Sequence, residues 1–350
     1  MQSAQETTLP AVIRFLSRAD AYPDRPLGLE IVETHFAWLF LSRRFVYKLK
    51  KPIRFRGLDL TTLAARRANC ELEVALNRRL ADGVYVGVVP LGHNGEGLAL
   101  ESPIEPVAWL VKMLRLPAER TLDRAAREGT VRDDDLGRLV DRLAAYYARA
   151  ARAPWNGAEY RRALVNRSDE YGAELCAYGL GADLTSRVRA LTAAQRAFVD
   201  THADSLDARV AAGRVIDAHG DLRPEHVFLL ADQVQIIDCL EFSAELRLLD
   251  SAEEIAFLAL ELERLGHTGL AGRIVELYSQ RCADRDATAL FGFYRSMRAL
   301  VRALLAVLHV PDARADSRAR WHERASWYLD AAFAALTAPD TARARRGAPR

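Results

Sequence analysis

Cysteine is scarce. Cys70, Cys176, Cys239 and Cys282 are the only four in 350 residues, far apart and without a CxxC pair. That argues against a structural zinc site or a disulfide framework and fits a reducing compartment. Net charge is nearly absent too, at +2, which removes the usual electrostatic case for nucleic acid or an anionic membrane as partner. The aromatic residues lack the basic interleaving of an RNA-binding surface. No apolar run is long enough to cross a bilayer, and the start "MQSAQETTLP" lacks the basic segment and apolar stretch of a secretory leader. A cytoplasmic, soluble chain with no nucleic acid and no membrane partner is the expectation; nothing in the composition indicates an oligomeric state. Hydrolase and metalloprotease signatures (GxSxG, HExxH) and a Walker-type P-loop (GxxxxGK[ST]) are missing as well. Positive charge gathers only in "TARARRGAPR", Thr341–Arg350, so 339–350 reads as a solvated, disordered tail.

What is present is ordinary globular material: half the residues are hydrophobic and 27% are charged. Glu30–Ile53 is rich in β-branched and aromatic residues on either side of Arg43 and Arg44, which fits a hairpin. Leu60–Ala81 has apolar residues at helical spacing (Leu63, Ala64, Ala68, Leu72, Leu76, Leu80). Val84–Gly92 and Val107–Leu114 read as further strands. After Thr121 the character changes. Asp133–Arg152 is an amphipathic helix with acidic residues at its start, and Thr192–Gly213 a second. Ala153–Leu191 reads as loop and short helices. "HVFLL" and "QVQIIDCLEF" form a small hairpin, and helices follow over Asp250–Leu265, Thr268–Arg281, Thr288–His309 and Asp316–Leu336. The expectation is an α+β chain: a β-rich part with one main helix over 1–114, then a mostly helical part over 115–338.

Three features carry chemistry. The octet "HGDLRPEH" (His219–His226) sets Asp221 in a loop before a strand, where a carboxylate can take a proton from a hydroxyl; by itself Gly-Asp and Arg-Pro are also plain turn chemistry. Asp238 follows 17 residues later at the end of the next apolar run, and a hairpin of that length can bring both carboxylates to one edge. Two close carboxylates repel unless a cation lies between them, and Mg²⁺ takes carboxylate oxygens together with phosphates. Lys48 and Lys50 share one face of a β run, and Glu73 sits 25 residues after Lys48 on the helix. A strand lysine braced by a helix glutamate can hold a phosphate. Alone, the lysine could equally guard an edge strand, with Glu73 on a solvated face.

The order of these pieces resembles the aminoglycoside phosphotransferase family, and more narrowly an uncharacterised bacterial branch of it. The matching segments are "THFAWLFL" (Thr34–Leu41), "VYKLKKP" (Val46–Pro52), "CELEVALNRRL" (Cys70–Leu80), "HGDLRPEHVFLL" (His219–Leu230) and "IIDCLEF" (Ile236–Phe242), and the likeness runs from Glu30 to His309. The resemblance implies a protein-kinase-like two-lobe fold and an ATP- and Mg²⁺-dependent transfer of phosphate to a small-molecule hydroxyl. It implies Asp221 as catalytic aspartate, Asp238 as metal ligand, Lys48 on the nucleotide phosphates with Glu73 bracing it, and Lys50 competing for that role. Lys112–Pro117, with Met113 and Leu114, would meet the adenine edge. His219 would pack the loop, and Asp250 would steady it or simply cap a helix.

Two departures from the pattern stand out. No GxGxxG precedes the lysine strand, which leaves the backbone near Glu33–His35 to cover the phosphates. His226 stands where a metal-binding Asn is expected, and imidazole favours Mn²⁺ over Mg²⁺. Nucleotide binding without transfer, and transfer of AMP, are the alternatives.

Overall fold

The computed structural model describes residues 8–55, 57–178, 182–308 and 315–337. They divide into two compact units. The first is Met1–Thr121 together with His226–Ala244; the second is Leu122–Glu225 with Glu245–Arg350. A single boundary at 114/115 was expected. Instead the chain returns to the first unit for the segment that carries His226 and Asp238. The expected helix end at His309 and the basic tail lie outside the described residues.

The first unit is built on a six-stranded antiparallel sheet. Its strands are β1 (Glu30–Glu33), β2 (Ala37–Leu41), β3 (Phe45–Lys50), β6 (Tyr85–His93), β7 (Leu98–Leu100) and β8 (Ala108–Leu114), in the order β1-β2-β3-β8-β6-β7. A short ribbon of β4 (Arg54–Phe55) and β5 (Leu58–Asp59) leads into helix α2 (Leu63–Asn77), whose start is capped by Thr62 accepting from Ala65 N–H. Strand alternation separates two apolar layers. Tyr47, Leu49 and Leu110 pack with Val12, Leu16 and Tyr22 around helix α1 (Leu9–Leu16), which the sequence reading did not anticipate. Val46, Val111 and Met113 pack with Cys70 and Val74 of α2. Lys48 and Lys50 share the α2 face by the same alternation. The returning segment forms the hairpin β10 (Val227–Leu229) and β11 (Val234–Ile236).

The expected apolar stripe does not describe how α2 packs. Leu72 is 41% exposed, while Asn69, Cys70, Glu73, Val74, Leu76 and Asn77 are buried. The buried face thus includes a polar row at Asn69, Glu73 and Asn77, spaced by four.

The second unit is helical: α3 (Leu122–Arg127), α4 (Asp133–Arg149), α5 (Gly157–Ala177), α6 (Ala182–Thr201), α7 (Ala203–Ala211), α8 (Ser251–Arg264), α9 (Thr268–Arg281), α10 (Phe291–Leu308) and α11 (Ala315–Thr337). Where loop and short helices were expected, α5 runs 21 residues. A capping box starts it: Asn156 Oδ1 accepts from Glu159 N–H, and Glu159 Oε2 accepts from Asn156 N–H. The helix expected over Thr192–Gly213 is two, parted at His202, whose backbone is not helical. Tyr171, Leu175, Val188, Leu191, Leu260, Leu300, Leu304, Tyr328 and Leu329 form one buried core. A small ladder of β9 (Val215–Asp217) with β12 (Leu248–Asp250) fixes where the octet begins.

Candidate active site

In the first unit, β3, α2 and the β10–β11 hairpin bring five charged groups together. Lys48 Nζ lies 2.9 Å from both Glu73 Oε1 and Asp238 Oδ1. Lys50 Nζ lies 2.5 Å from both Glu73 Oε2 and Glu241 Oε1. Glu73 is fully buried, with one lysine on each oxygen. Both lysines are engaged, and they differ in access: the Lys48 side chain is 14% exposed and that of Lys50 only 2%. Burial works against the charge on each lysine. For Lys48, Asp238 and Glu73 outweigh it, and for Lys50, Glu73 and Glu241 do, so both pKa values lie above the usual range. Burial would likewise push Glu73 up, but Lys48 and Lys50 hold it below the ordinary carboxylate range. The cluster thus sets two lysines against three carboxylates.

Asp238 sits just past β11 with a φ of +62°, a backbone region that non-glycine residues seldom adopt and that clusters at functional positions. Two first-unit contacts hold it there. Its N–H donates to Tyr85 Oη at 3.3 Å, and the Cys239 N–H donates to Asn77 Oδ1 at 2.9 Å. The Asp238 carboxylate remains 43% exposed. The open end of the hairpin sets His226 beside it: Ile237 N–H donates to His226 O at 3.0 Å, and His226 Nε2 is 3.6 Å from Asp238 Oδ2. Among the described residues no group of three or more His, Cys, Asp or Glu side chains is arranged to hold a metal ion. Asp238 and His226 offer two donors, which suits a cation whose remaining ligands are water and phosphate oxygens.

The turn between β1 and β2, where a glycine-rich loop is lacking, is tied by Thr34: its N–H and Oγ1 both donate to Ala37 O. Phe36 in this turn stacks on Phe242 of the "DCLEF" segment, with ring centroids 5.9 Å apart. The expected adenine-facing segment is the end of β8. Met113 is buried and pairs with Val46 and Tyr85. Leu114 N–H is spent on Val84 O and Arg115 N–H on Arg44 O.

In the second unit the octet leaves β9 and turns at Gly220, with φ +85°, where a side chain would be strained. His219 is fully buried, and its Nδ1 accepts from Asp221 N–H at 3.3 Å. Glu254 on α8 accepts the Gly220 N–H at 2.7 Å and the Tyr147 hydroxyl at 3.2 Å. Arg298 on α10 donates to Gly220 O at 3.3 Å. Asp250 caps α8 through Ala252 N–H and binds Arg209 and the Tyr294 hydroxyl, so the carboxylate seen on the loop backbone is that of Glu254. Asp221 is partly exposed and pairs with Arg223 at 3.0 Å, which also binds Glu225 at 2.7 Å.

No feature of the sequence singled out Glu241, Arg223 or Arg298. Only the α2 row at Asn69, Glu73 and Asn77 offered a signal, as polar residues at helical spacing opposite a misleading apolar stripe.

No family model matches the chain. Proteins of Mycobacterium tuberculosis and Mycobacterium bovis, both described as uncharacterized, are 31% identical to it over 308 residues, 85% of this chain and 59% of theirs. The chain thus spans about three fifths of the length of these curated relatives. Among solved structures, a choline/ethanolamine kinase family protein from Mesorhizobium loti aligns with 95% of this chain and 97% of its own, at a TM-score of 0.56 and 14% identity. Choline kinase from Cryptosporidium parvum covers 91% of this chain and 94% of its own, at a TM-score of 0.55 and 9% identity. A GDP complex of an aminoglycoside 2'-phosphotransferase-IIIa variant covers 95% of this chain and all of its own, at a TM-score of 0.54 and 13% identity. The α+β chain therefore has the protein-kinase-like fold shared by aminoglycoside phosphotransferases and choline/ethanolamine kinases.

Proposed function

We propose that the chain transfers the γ-phosphate of ATP to a hydroxyl of a small molecule. The observation that carries this reading is the Lys48–Glu73–Asp238 constellation on a fold whose solved relatives are small-molecule kinases. Phosphoryl transfer asks a protein mainly for positioning and charge stabilisation. Lys48, with its accessible edge, would hold the nucleotide phosphates while Glu73 keeps it extended. Met113 and Leu114 would border the adenine. A divalent cation, Mg²⁺ or Mn²⁺, would be held by Asp238 and His226 and would neutralise phosphate charge; the imidazole tilts the donor set toward Mn²⁺. Asp221 would orient the acceptor hydroxyl and take its proton as the new oxygen–phosphorus bond forms and ADP leaves.

The Asp221–Arg223 ion pair favours a second reading, nucleotide binding without transfer, because an aspartate held by a guanidinium is a weaker base. The test is ATP-dependent phosphorylation of a metabolite pool by the wild type and by Asp221→Asn, with thermal shifts in ATP plus Mg²⁺ or Mn²⁺. Transfer should fall by about 10²–10⁴-fold in the variant, with the ATP-induced shift retained. Full activity in Asp221→Asn refutes the assignment, and an ATP shift without any product supports the second reading. The product's mass separates phosphate transfer from AMP transfer.

A further inference from the structure

The turn from Glu33 to Ala37 contains no glycine, so its backbone is not free to reshape around a ligand. Its own contacts fix it instead. Thr34 Oγ1 accepts from Ala37 N–H at 3.0 Å, and Phe36 O accepts from Lys51 N–H at 2.8 Å. Lys51 Nζ lies 2.6 Å from Glu33 Oε1. The turn is thereby pinned to the residue that follows Lys50, the last of β3.

Three half-buried phenylalanines from separate stretches of the first unit meet at this turn. Phe36 stacks on Phe242 with ring planes 19° apart. Phe55 of β4 meets both rings edge-on, with centroids 5.2 Å from Phe36 and 6.4 Å from Phe242. Such separations and tilts are favourable for aromatic pairs. Phe242 lies four residues after Asp238 and next to Glu241, which binds Lys50. The Asp238 backbone, at φ +62°, is of a kind that persists only where its surroundings over-determine it. Hydrogen bonds hold the N–H groups of Asp238 and Cys239 at one end of this short segment, and ring packing holds Phe242 at the other.

We propose that Phe242 is a positioning residue: through Phe36 and Phe55 it joins the glycine-free turn to the segment that carries Asp238, so that the two open together and not separately. The ordering of the turn is then complete on folding, and a phosphate that binds beneath it does not bear that entropic cost. This use of the coupling rests on the phosphotransferase reading; the coupling itself does not.

Hydrogen exchange of the full chain, read by mass spectrometry at residue resolution, tests it. The probes are the hydrogen-bonded N–H groups of Thr34 and Ala37 in the turn and of Asp238 and Cys239 in the segment. Phe242→Leu, which keeps an apolar side chain without a ring, should speed exchange about three- to tenfold at both places and leave β8 unchanged. Phe36→Leu should do the same from the other side of the stack. The double variant should fall short of the product of the two single effects, because both remove one shared contact. Phe242→Tyr, which retains the ring, should restore slow exchange. Phe45→Leu removes a ring packed on Tyr47 in the other apolar layer and should leave all four probes unchanged. In calorimetric titration with ATP and Mg²⁺, Phe242→Leu should bind at least about threefold more weakly than the wild type, and Phe242→Tyr should match it.

Faster exchange at only one of the two places, or at neither, in a folded Phe242→Leu protein overturns the inference. So do single effects that multiply in the double variant, the same pattern in Phe45→Leu, or an unchanged ATP affinity in Phe242→Leu where the wild type binds ATP. Coupled exchange in a wild type that binds no ATP leaves the coupling standing and removes the phosphotransferase reading.

Discussion

Replacing Glu254 separates two things this residue does: it holds the loop that carries Asp221, and it buries a carboxylate. Among the donors its oxygens accept from are Gly220 N–H at 2.7 Å and the Tyr147 hydroxyl at 3.2 Å, both buried. Glu254→Ala strands both. At about 1–3 kcal/mol for each stranded buried donor, the loss is about 2–6 kcal/mol, reduced by whatever the buried charge was costing. Glu254→Gln keeps an acceptor for Gly220 and can donate to the tyrosine oxygen, so it should stay within about 1 kcal/mol of the wild type near pH 5.

The two also differ in pH dependence. Burial, the largest influence, pushes the Glu254 pKa up against the opposing hydrogen bonds from Gly220 and His219 and the charge of Arg298. A carboxylate whose folded pKa is raised contributes stability that is complete below its unfolded pKa, about 4.3. That contribution is lost as pH rises through the folded value. Glutamine does not titrate, so Glu254→Gln should gain on the wild type as pH rises from about 4 to 7. Urea unfolding of the three proteins across that range is the assay. Parallel stability profiles for wild type and Glu254→Gln, or an alanine variant as stable as the glutamine one, would refute the reasoning.

The two lysines of β3 should separate in the same manner. Lys48→Met should abolish or strongly weaken the ATP-induced thermal shift at modest cost in stability. Lys50→Met should lower the melting temperature more and leave ATP affinity closer to wild type, because the Lys50 side chain is only 2% exposed. Reversed effects would exchange their roles. Arg209 forks onto Asp250 and Asp284, all three buried. Arg209→Met should destabilise by about 3–5 kcal/mol in urea unfolding near neutral pH, because two buried carboxylates then face each other. Burial pushes Asp284 up, but Arg209 outweighs it and holds its pKa below the usual range. The stability contributed by that pair is therefore present above the unfolded carboxylate value and fades as pH falls through the folded one. The deficit of Arg209→Met should narrow in acid; a constant deficit would contradict this.

Motif order alone determined the fold class and named Lys48, Glu73 and Asp238, which the structure brings within 2.9 Å of a shared ammonium. Period-two alternation put Lys48 and Lys50 on one face, and that is the face α2 covers. Helical periodicity failed at α2, and for a physical reason. Apolar spacing marks the buried face only when that face is apolar, and here Glu73 and Asn77 are buried because two lysines and the Cys239 backbone N–H satisfy them. The partners lie 23 or more residues away, so no local pattern could announce them. The same holds for Glu241 on Lys50, for Glu254 and Arg298 on the Gly220 backbone, and for the arginines that close off the α8 carboxylates. Sequence fixes which groups are available and their order along the chain. Only the tertiary structure decides which charges neutralise one another, as where Arg167, Arg298, Arg302 and Arg295 meet the glutamates of α8.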